Sequence, residues 1–353
     1  MHILENFFTN PPKLEHYAPR KLQLPQEDSF ILLGARGCGK STLAINYINN
    51  LRKKYLYIDC QDPTFILEEL DLSVLNSFIK EEQIKTLILD HFFEGFLETL
   101  PKVEQIIIIA REPLSLNLPT IVLHPLDFEE FINFKSSLNP AISFDYYSRF
   151  GSLPRVAKSV NPNLSCREIF FEKFDPQEGK VLLIISLFQA KVATPHQIYQ
   201  MAREYFKISK DWLYKAIDYF LKEGILYQVE SYERSVGKKI FLYDFILSRY
   251  LNKNQTFLTS FESLVALALI KYKIEIKAIS NPLGYLTTTK ELIVIAPFDS
   301  DEHFWAKVQK SFSLYTKLLL SRVTIVTVNS SYSFKIKDIN FQAIPFYEWV
   351  TGL

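Results

Sequence analysis

Apolar residues along this chain follow two rhythms. Between residues 29 and 124, short unbroken runs of β-branched residues and Leu recur at 29–34, 54–60, 85–90, 105–110 and 120–124. Each run has strand length and is bounded by turn residues. Runs apolar on both faces belong to strands covered on both sides, the condition of a parallel sheet wrapped by helices. Between several runs the apolar spacing changes to helical, most clearly at 41–53 and 64–79. The pattern predicts an α/β domain with a five-stranded parallel sheet.

Beyond residue 177 the pattern changes. Gly179 to Phe188 reads as a buried helix, and Thr194-Pro195 supplies an N-cap and first-turn proline for a second. Ser209 caps a third, in which Leu213, Ile217, Phe220 and Leu221 share one face at i, i+4, i+7 and i+8. Gly224 ends that helix, and strands at 225–229 and 239–243 follow around a charged loop containing Gly237. Three helices and a β-ribbon predict a winged helix-turn-helix. The last hundred residues alternate again: a helix at 257–272, strands at 274–277 and 292–295, a helix at about 302–319 and a strand at 323–328.

Set between the first strand and the first helix is Gly34-Ala35-Arg36-Gly37-Cys38-Gly39-Lys40-Ser41, which matches the phosphate-loop pattern G-x-x-x-x-G-K-[ST]. Glycines allow successive backbone N–H groups to converge on one anion-sized concavity, and the helix N-terminus adds partial positive charge. Lys40 is placed to reach the β- and γ-phosphates and the Ser41 hydroxyl to hold Mg²⁺. Gly34, Arg36, Gly37, Cys38, Gly39, Lys40, Ser41 and Thr42 are therefore the expected nucleotide contacts. A helix N-terminus can acidify Cys38, although a small neutral loop residue is the simpler reading.

The third strand ends in Asp90, the position from which a carboxylate joins the Mg²⁺ shell. His91 follows, where many hydrolysing P-loop ATPases carry a Glu that polarises water; Glu94 is the nearest later carboxylate and either substitutes or sits on a solvated face. Arg111, after the fourth strand, either senses the γ-phosphate or lies at the surface beside Glu112. No Asn/Thr-Lys-x-Asp guanine-reading motif follows the sheet, which favours ATP.

Composition narrows the class further. Apolar residues make up 48% and charged residues 22%, enough for two or three cored domains in 353 residues. No apolar run reaches membrane-span length, no signal-peptide pattern opens the chain, and three cysteines make no disulfide framework, so a cytoplasmic protein without a membrane partner is expected. The net charge of +1 conceals an asymmetry. Residues 177–252 and 253–353 each carry 11 Lys+Arg against 8 Asp+Glu, leaving residues 1–176 at net −5.

Further segments complete an ordered set: Tyr57-Ile58-Asp59-Cys60-Gln61-Asp62-Pro63, Pro125-Leu126-Asp127-Phe128-Glu129-Glu130-Phe131 and Gly151-Ser152-Leu153-Pro154. Together with the phosphate loop they resemble the prokaryotic AAA+/STAND-type P-loop ATPases related to archaeal ATPases, over roughly residues 20–250 and weakly beyond. The resemblance implies an ATPase core at 1–145, a helical lid at 146–176, a winged helix at 177–252 and a restriction-endonuclease-like α/β domain at 253–353. It also implies ATP with Mg²⁺, Asp90, Glu94 and Arg111 as the catalytic group, and Arg155 as either a lid contact to the γ-phosphate or a surface arginine.

The chain departs from that family where it has Asp90-His91 instead of Asp-Glu and Ala110 instead of Ser or Thr, losses that fall on hydrolysis. In the C-terminal domain Lys277 stands where an Asp is expected, and Ile295-Ala296-Pro297-Phe298 replaces Glu-x-Lys. Glu262, Glu275 and Glu291 do not make the metal-binding set, so nuclease activity is not expected. In the winged helix, Lys210, Tyr214, Lys215, Arg234, Lys238 and Lys239 are the candidate nucleic-acid contacts, opposed by Asp211 and Asp218 on the same face. The sequence points to an ATP-binding, slowly hydrolysing switch that engages a protein partner or itself. The alternative is an ATPase that holds duplex DNA through the winged helix and C-terminal domain.

Overall fold

The computed structural model describes residues 2–14, 17, 19–51, 53–135, 139–320 and 322–353. The chain divides into two compact units: residues 1–125 with 222–224, and 126–221 with 225–353.

The first unit opens with helix α1 (His2–Thr9) and then alternates β1 (Phe30–Leu33), α2 (Lys40–Asn50), β2 (Tyr55–Asp59), α3 (Leu72–Glu81), β3 (Thr86–Phe92), β4 (Gln105–Ala110) and β5 (Thr120–Val122). The strands hydrogen-bond in the order β2-β3-β4-β1-β5, and every pairing is parallel. The five strands fall where the apolar runs predict them, β4 with the same bounds and the other four trimmed or extended at their ends. The helix expected at 41–53 stops at Asn50, and Arg52 lies outside the described residues.

Burial explains why the runs are continuous. Ile31, Ile58, Leu87, Leu89 and Ile108 point to one face, against Leu4 of α1 and Leu75 and Phe78 of α3. Phe30, Leu32, Ile88, Ile107 and Ile109 point to the other, against Leu43, Ala44 and Ile48 of α2. Alternating residues of one strand thus serve two cores, and a central strand has no position for a polar residue except at its end.

The second unit begins with four helices, α4 (Phe128–Lys135), α5 (Pro140–Phe150), α6 (Pro154–Lys158) and α7 (Pro162–Lys173). There follow α8 (Pro176–Ser186), β6 (Val192–Ala193), α9 (Pro195–Tyr205), α10 (Lys210–Lys222), β7 (Leu226–Glu230) and β8 (Lys238–Leu242). Strands β6, β8 and β7 form a small antiparallel sheet. Both α8 and α9 start with a full capping box, Asp175 with Glu178 and Thr194 with Gln197, each followed by proline at the first turn.

The rest of the unit comprises α11 (Phe245–Leu251), α12 (Phe257–Lys271), β9 (Ile276–Ile279), β10 (Gly284–Thr287), β11 (Glu291–Ile295), α13 (Asp301–Lys317), β12 (Arg322–Thr327), β13 (Tyr332–Ile336), β14 (Ile339–Pro345) and α14 (Phe346–Trp349). Its six strands form a mixed sheet ordered β13-β14-β12-β11-β10-β9, parallel only between β11, β12 and β14. The Gly151–Pro154 segment is fixed by Asp244, which is buried at the start of α11. Its carboxylate accepts from the Ser152 N–H at 2.8 Å and the Ser152 hydroxyl at 2.7 Å while capping Ile246 and Leu247.

Candidate nucleotide site

The phosphate loop leaves the C-terminal end of β1 and enters α2 through three glycines with positive φ: Gly34 at +150°, Gly37 at +80° and Gly39 at +95°. At Gly34 the requirement is steric as well, since a Cβ there meets the Leu123 carbonyl oxygen at 2.2 Å. Gly39 takes the N-cap position of α2 without a side-chain cap, which leaves the first helical N–H groups available to an anion. Lys40 folds back over the loop, its Nζ donating to the Gly34 oxygen at 2.6 Å and the Ala35 oxygen at 3.2 Å. Arg20, from the lead-in segment, donates to the Cys38 oxygen at 3.0 Å and the His124 oxygen at 2.6 Å and so braces the loop.

Asp90 ends the central part of β3 and is 1% exposed. Its Oδ1 accepts from the His91 N–H at 2.8 Å, and its Oδ2 accepts from the Tyr57 hydroxyl. The Ser41 hydroxyl approaches the same phenol. Burial, the Asp90 carboxylate and the hydrogen bond to it push the Tyr57 phenol well above its ordinary value, so it stays protonated and donates. Tyr57 therefore holds Asp90 and adjoins Ser41, the two residues expected to hold Mg²⁺. A hydroxyl and one carboxylate are hard oxygen donors, a pair that suits Mg²⁺ when phosphates supply further ligands.

A second group sits beside it. In the β2–β3 register Asp59 lies opposite Asp90. Asp59 Oδ1 lies 2.9 Å from His91 Nδ1 and also accepts from the Gln61 N–H at 3.0 Å. Burial pushes the Asp59 carboxyl up, but the hydrogen bonds from His91 and Gln61 and the positive charge of Arg111 outweigh it and hold it below the usual range. An ionised carboxylate only accepts, so Nδ1 carries a proton towards Asp59, and in the neutral ring Nε2 is the acceptor. His91 itself has φ +55° at a register shift between β3 and β4, a backbone state that β3 tolerates at its tip.

The remaining expected residues divide. Arg111 reaches the group, donating to Gln61 Oε1 at 3.3 Å. Glu94 is exposed and accepts from the Ser115 N–H at 2.6 Å; no hydrogen bond joins it to Asp90 or His91 among the described residues. Arg36 is buried and pairs with Glu223 at 2.9 Å. Cys38 is fully buried and Thr42 exposed. In the second unit, Arg155 pairs with Glu172 and, at 3.1 Å, with Glu168. Lys210, Lys215, Arg234 and Lys238 are exposed, and Lys210 stacks over the Tyr214 ring. Lys239 departs from the expected interface: it is 6% exposed, and its ammonium is bound to Glu262, which also accepts from the Tyr285 hydroxyl at 3.0 Å. The alternation of β8 turns it inward while Lys238 faces out.

Tyr57, Asp59 and the donor role of Arg20 were not assigned from sequence. The strand-ending position of Asp59, one strand away from Asp90, was the available signal.

Residues 26–98 match the family model of an AAA domain. This segment spans β1, the phosphate loop, β2 and β3, and the match supports an AAA-type P-loop core in the first unit. No curated protein matches the chain. Among solved structures, a Walker-type ATPase of Pyrococcus abyssi is similar at 13% identity over 64% of this chain and 90% of its own, with a TM-score of 0.42. A STAND protein with a tetratricopeptide-repeat sensor from Pyrococcus horikoshii is 15% identical over 74% of this chain, which spans 46% of that one, with a TM-score of 0.32. The Aeropyrum pernix ORC1 protein in complex with DNA is 15% identical over 64% of this chain and 87% of its own, with a TM-score of 0.31. At such values the likeness does not extend to function. No helix among the described residues is long and apolar enough to cross a membrane.

Proposed function

We propose that the first unit binds ATP with Mg²⁺ and hydrolyses it slowly, as an AAA+/STAND-type nucleotide-controlled switch. The observation that carries this reading is the placement of Lys40, Ser41 and Asp90 at the C-terminal ends of the parallel strands, with Tyr57 holding Asp90 and adjoining Ser41. The loop N–H groups and Lys40 hold the phosphates, and Ser41 and Asp90 hold Mg²⁺, which when bound neutralises charge on the phosphate oxygens.

Hydrolysis then requires a group that orients water, and Glu94 is engaged elsewhere. His91 takes that role here. Asp59 holds its Nδ1 proton, and Nε2 accepts a hydrogen bond from water whose oxygen attacks the γ-phosphorus as the bond to the β–γ bridging oxygen breaks. The water proton ends on the phosphate released. Arg111, whose charge acts on Asp59, is the further cation we assign to the developing charge. Slow turnover is expected because His91 stands where hydrolysing P-loop ATPases carry a Glu.

In the second unit we read 146–176 as the helical lid, 177–252 as a winged helix and 253–353 as a nuclease-like domain without its metal-binding carboxylates. Burial of Glu262 against Lys239 supports the last point. The exposed Lys210, Lys215, Arg234 and Lys238 favour the second reading, contact with duplex DNA.

Calorimetric titration with ATP and phosphate release, each measured with and without duplex DNA, test these roles. Lys40→Ala abolishes binding with unchanged far-UV circular dichroism; unchanged affinity ends the reading. Asp59→Asn keeps affinity while turnover drops about 10²-fold. Stimulation by DNA selects the second reading.

A further inference from the structure

The first unit carries a groove beside the nucleotide end of its sheet that the nucleotide reading does not use. It has a volume of about 820 Å³ and lies between the segment after β2 and the loop after β3. Its floor is aromatic: Phe65 and Phe96 pack edge to face at 5.2 Å, and Phe93 packs on Phe96 at 5.6 Å. Its lip is aliphatic and uncovered. Ile66 lines the groove and is 83% exposed, and Leu67 beside it is 92% exposed. Phe93, on the facing loop, is 48% exposed. Leaving three large apolar side chains exposed across one groove forfeits burial that each would gain against a partner.

The charge around this groove has one sign. From residue 59 to 79 and from 86 to 101 the chain holds no lysine or arginine. Asp62, Glu69, Asp71 and Glu98 line the groove, and Glu68 flanks it. Two of the acids have local duties: Asp62 caps the turn Pro63–Ile66, and Asp71 caps α3. Glu68, Glu69 and Glu98 have no side-chain partner among the described residues. Arg111 reaches one end of the groove, through Gln61.

We propose that this groove docks a cationic amphipathic helix of a partner protein, with the helix's aliphatic row on Phe65, Ile66, Phe93 and Phe96 and its lysines or arginines against Glu68, Glu69 and Glu98. Acidic rims repel nucleic acid and anionic lipid, and apolar lips on both sides match the row of i, i+4, i+7 side chains that a helix lays into a groove. The groove walls start at Cys60 and Phe93, one residue beyond Asp59 and two beyond His91, so the docked helix lies next to the nucleotide site. The proposal does not depend on nucleotide binding.

The test uses the full chain and a fluorescein-labelled synthetic helix of about 18 residues, long enough to hold helical structure, with leucines on one face and lysines elsewhere. Two controls are a scrambled peptide of the same composition and a helix with glutamates replacing the lysines. Anisotropy is expected to show saturable binding of the first peptide, weakened by salt, with neither control binding. Paired Ile66→Ser and Leu67→Ser substitutions, and paired Glu69→Gln and Glu98→Gln, each weaken binding about tenfold or more while ATP affinity is unchanged. Equal binding of the scrambled peptide, indifference to both variant pairs, or no binding at all overturns the proposal. So does a dimer in sedimentation that the Ile66 and Leu67 substitutions dissolve, since the groove would then receive a second copy of this chain.

Discussion

Tyr57→Phe isolates the contact at the centre of the site. It removes one hydrogen-bond donor, keeps the ring, and leaves Oδ2 of the buried Asp90 without the phenol. A hydrogen bond to a charged acceptor contributes about 1.5–3 kcal/mol, so the nucleotide-free first unit loses about that much local stability. The effect on binding has the opposite sign. If Mg²⁺ and ATP claim the same oxygen, the wild-type protein gives up the phenol bond on binding and the variant has none to give up. The cycle then predicts that the variant binds Mg²⁺–ATP about ten- to hundredfold more tightly, at 1.4 kcal/mol per factor of ten. In EDTA the gain should vanish, because nothing then competes for Asp90. Calorimetric titrations with and without Mg²⁺, alongside hydrogen exchange of the β2 and β3 amides, measure both halves. Affinity that is unchanged or weaker in Mg²⁺ would refute the idea that Tyr57 and the metal compete for one carboxylate.

Three further outcomes follow from local geometry. Gly34→Ala places a Cβ 2.2 Å from the Leu123 carbonyl, so either β1 or the β5 end must shift; we expect lost ATP binding and a marked fall in the melting temperature, whereas Gly37→Ala, which meets no atom within 4 Å, costs only the strain of its positive φ. Lys239→Ala strands the buried Glu262 and should destabilise the second unit by about 3–5 kcal/mol, while Lys238→Ala leaves stability unchanged, both read by urea denaturation. The hydrogen bond from Arg155 outweighs slight burial and holds the Glu172 carboxyl below its ordinary value. The stabilisation is present above the unfolded pKa of about 4.3 and is lost as pH falls through the lower folded value, so in Arg155→Ala the Glu172 titration followed by NMR should move up.

What the sequence determined by itself was whatever a short contiguous stretch encodes. The five buried runs specify a sheet because a strand covered on both faces must be apolar throughout, and the Gly34–Ser41 loop specifies an anion site because its glycines and helix start are consecutive. Asp90 was legible as a polar residue ending an apolar strand. Half-covered strands were not: edge strand β13 (Tyr332 to Ile336) and interior strand β14 alternate more and less buried positions, and these two and interior strand β10 carry no continuous apolar run to mark them. Tertiary structure alone decided which polar groups meet. Tyr57 finds Asp90, and Asp59 finds His91, because β2 and β3 are neighbours in register, a fact carried by no local spacing. Glu94 is nearer His91 in sequence than Asp59 is, yet it turns to Ser115. Lys239 and Lys238 are adjacent in sequence, and the pleat of β8 sends one to a buried carboxylate and the other to solvent. Local pattern fixes where a strand runs and which residues end it; the pairing of strands fixes what those ends touch.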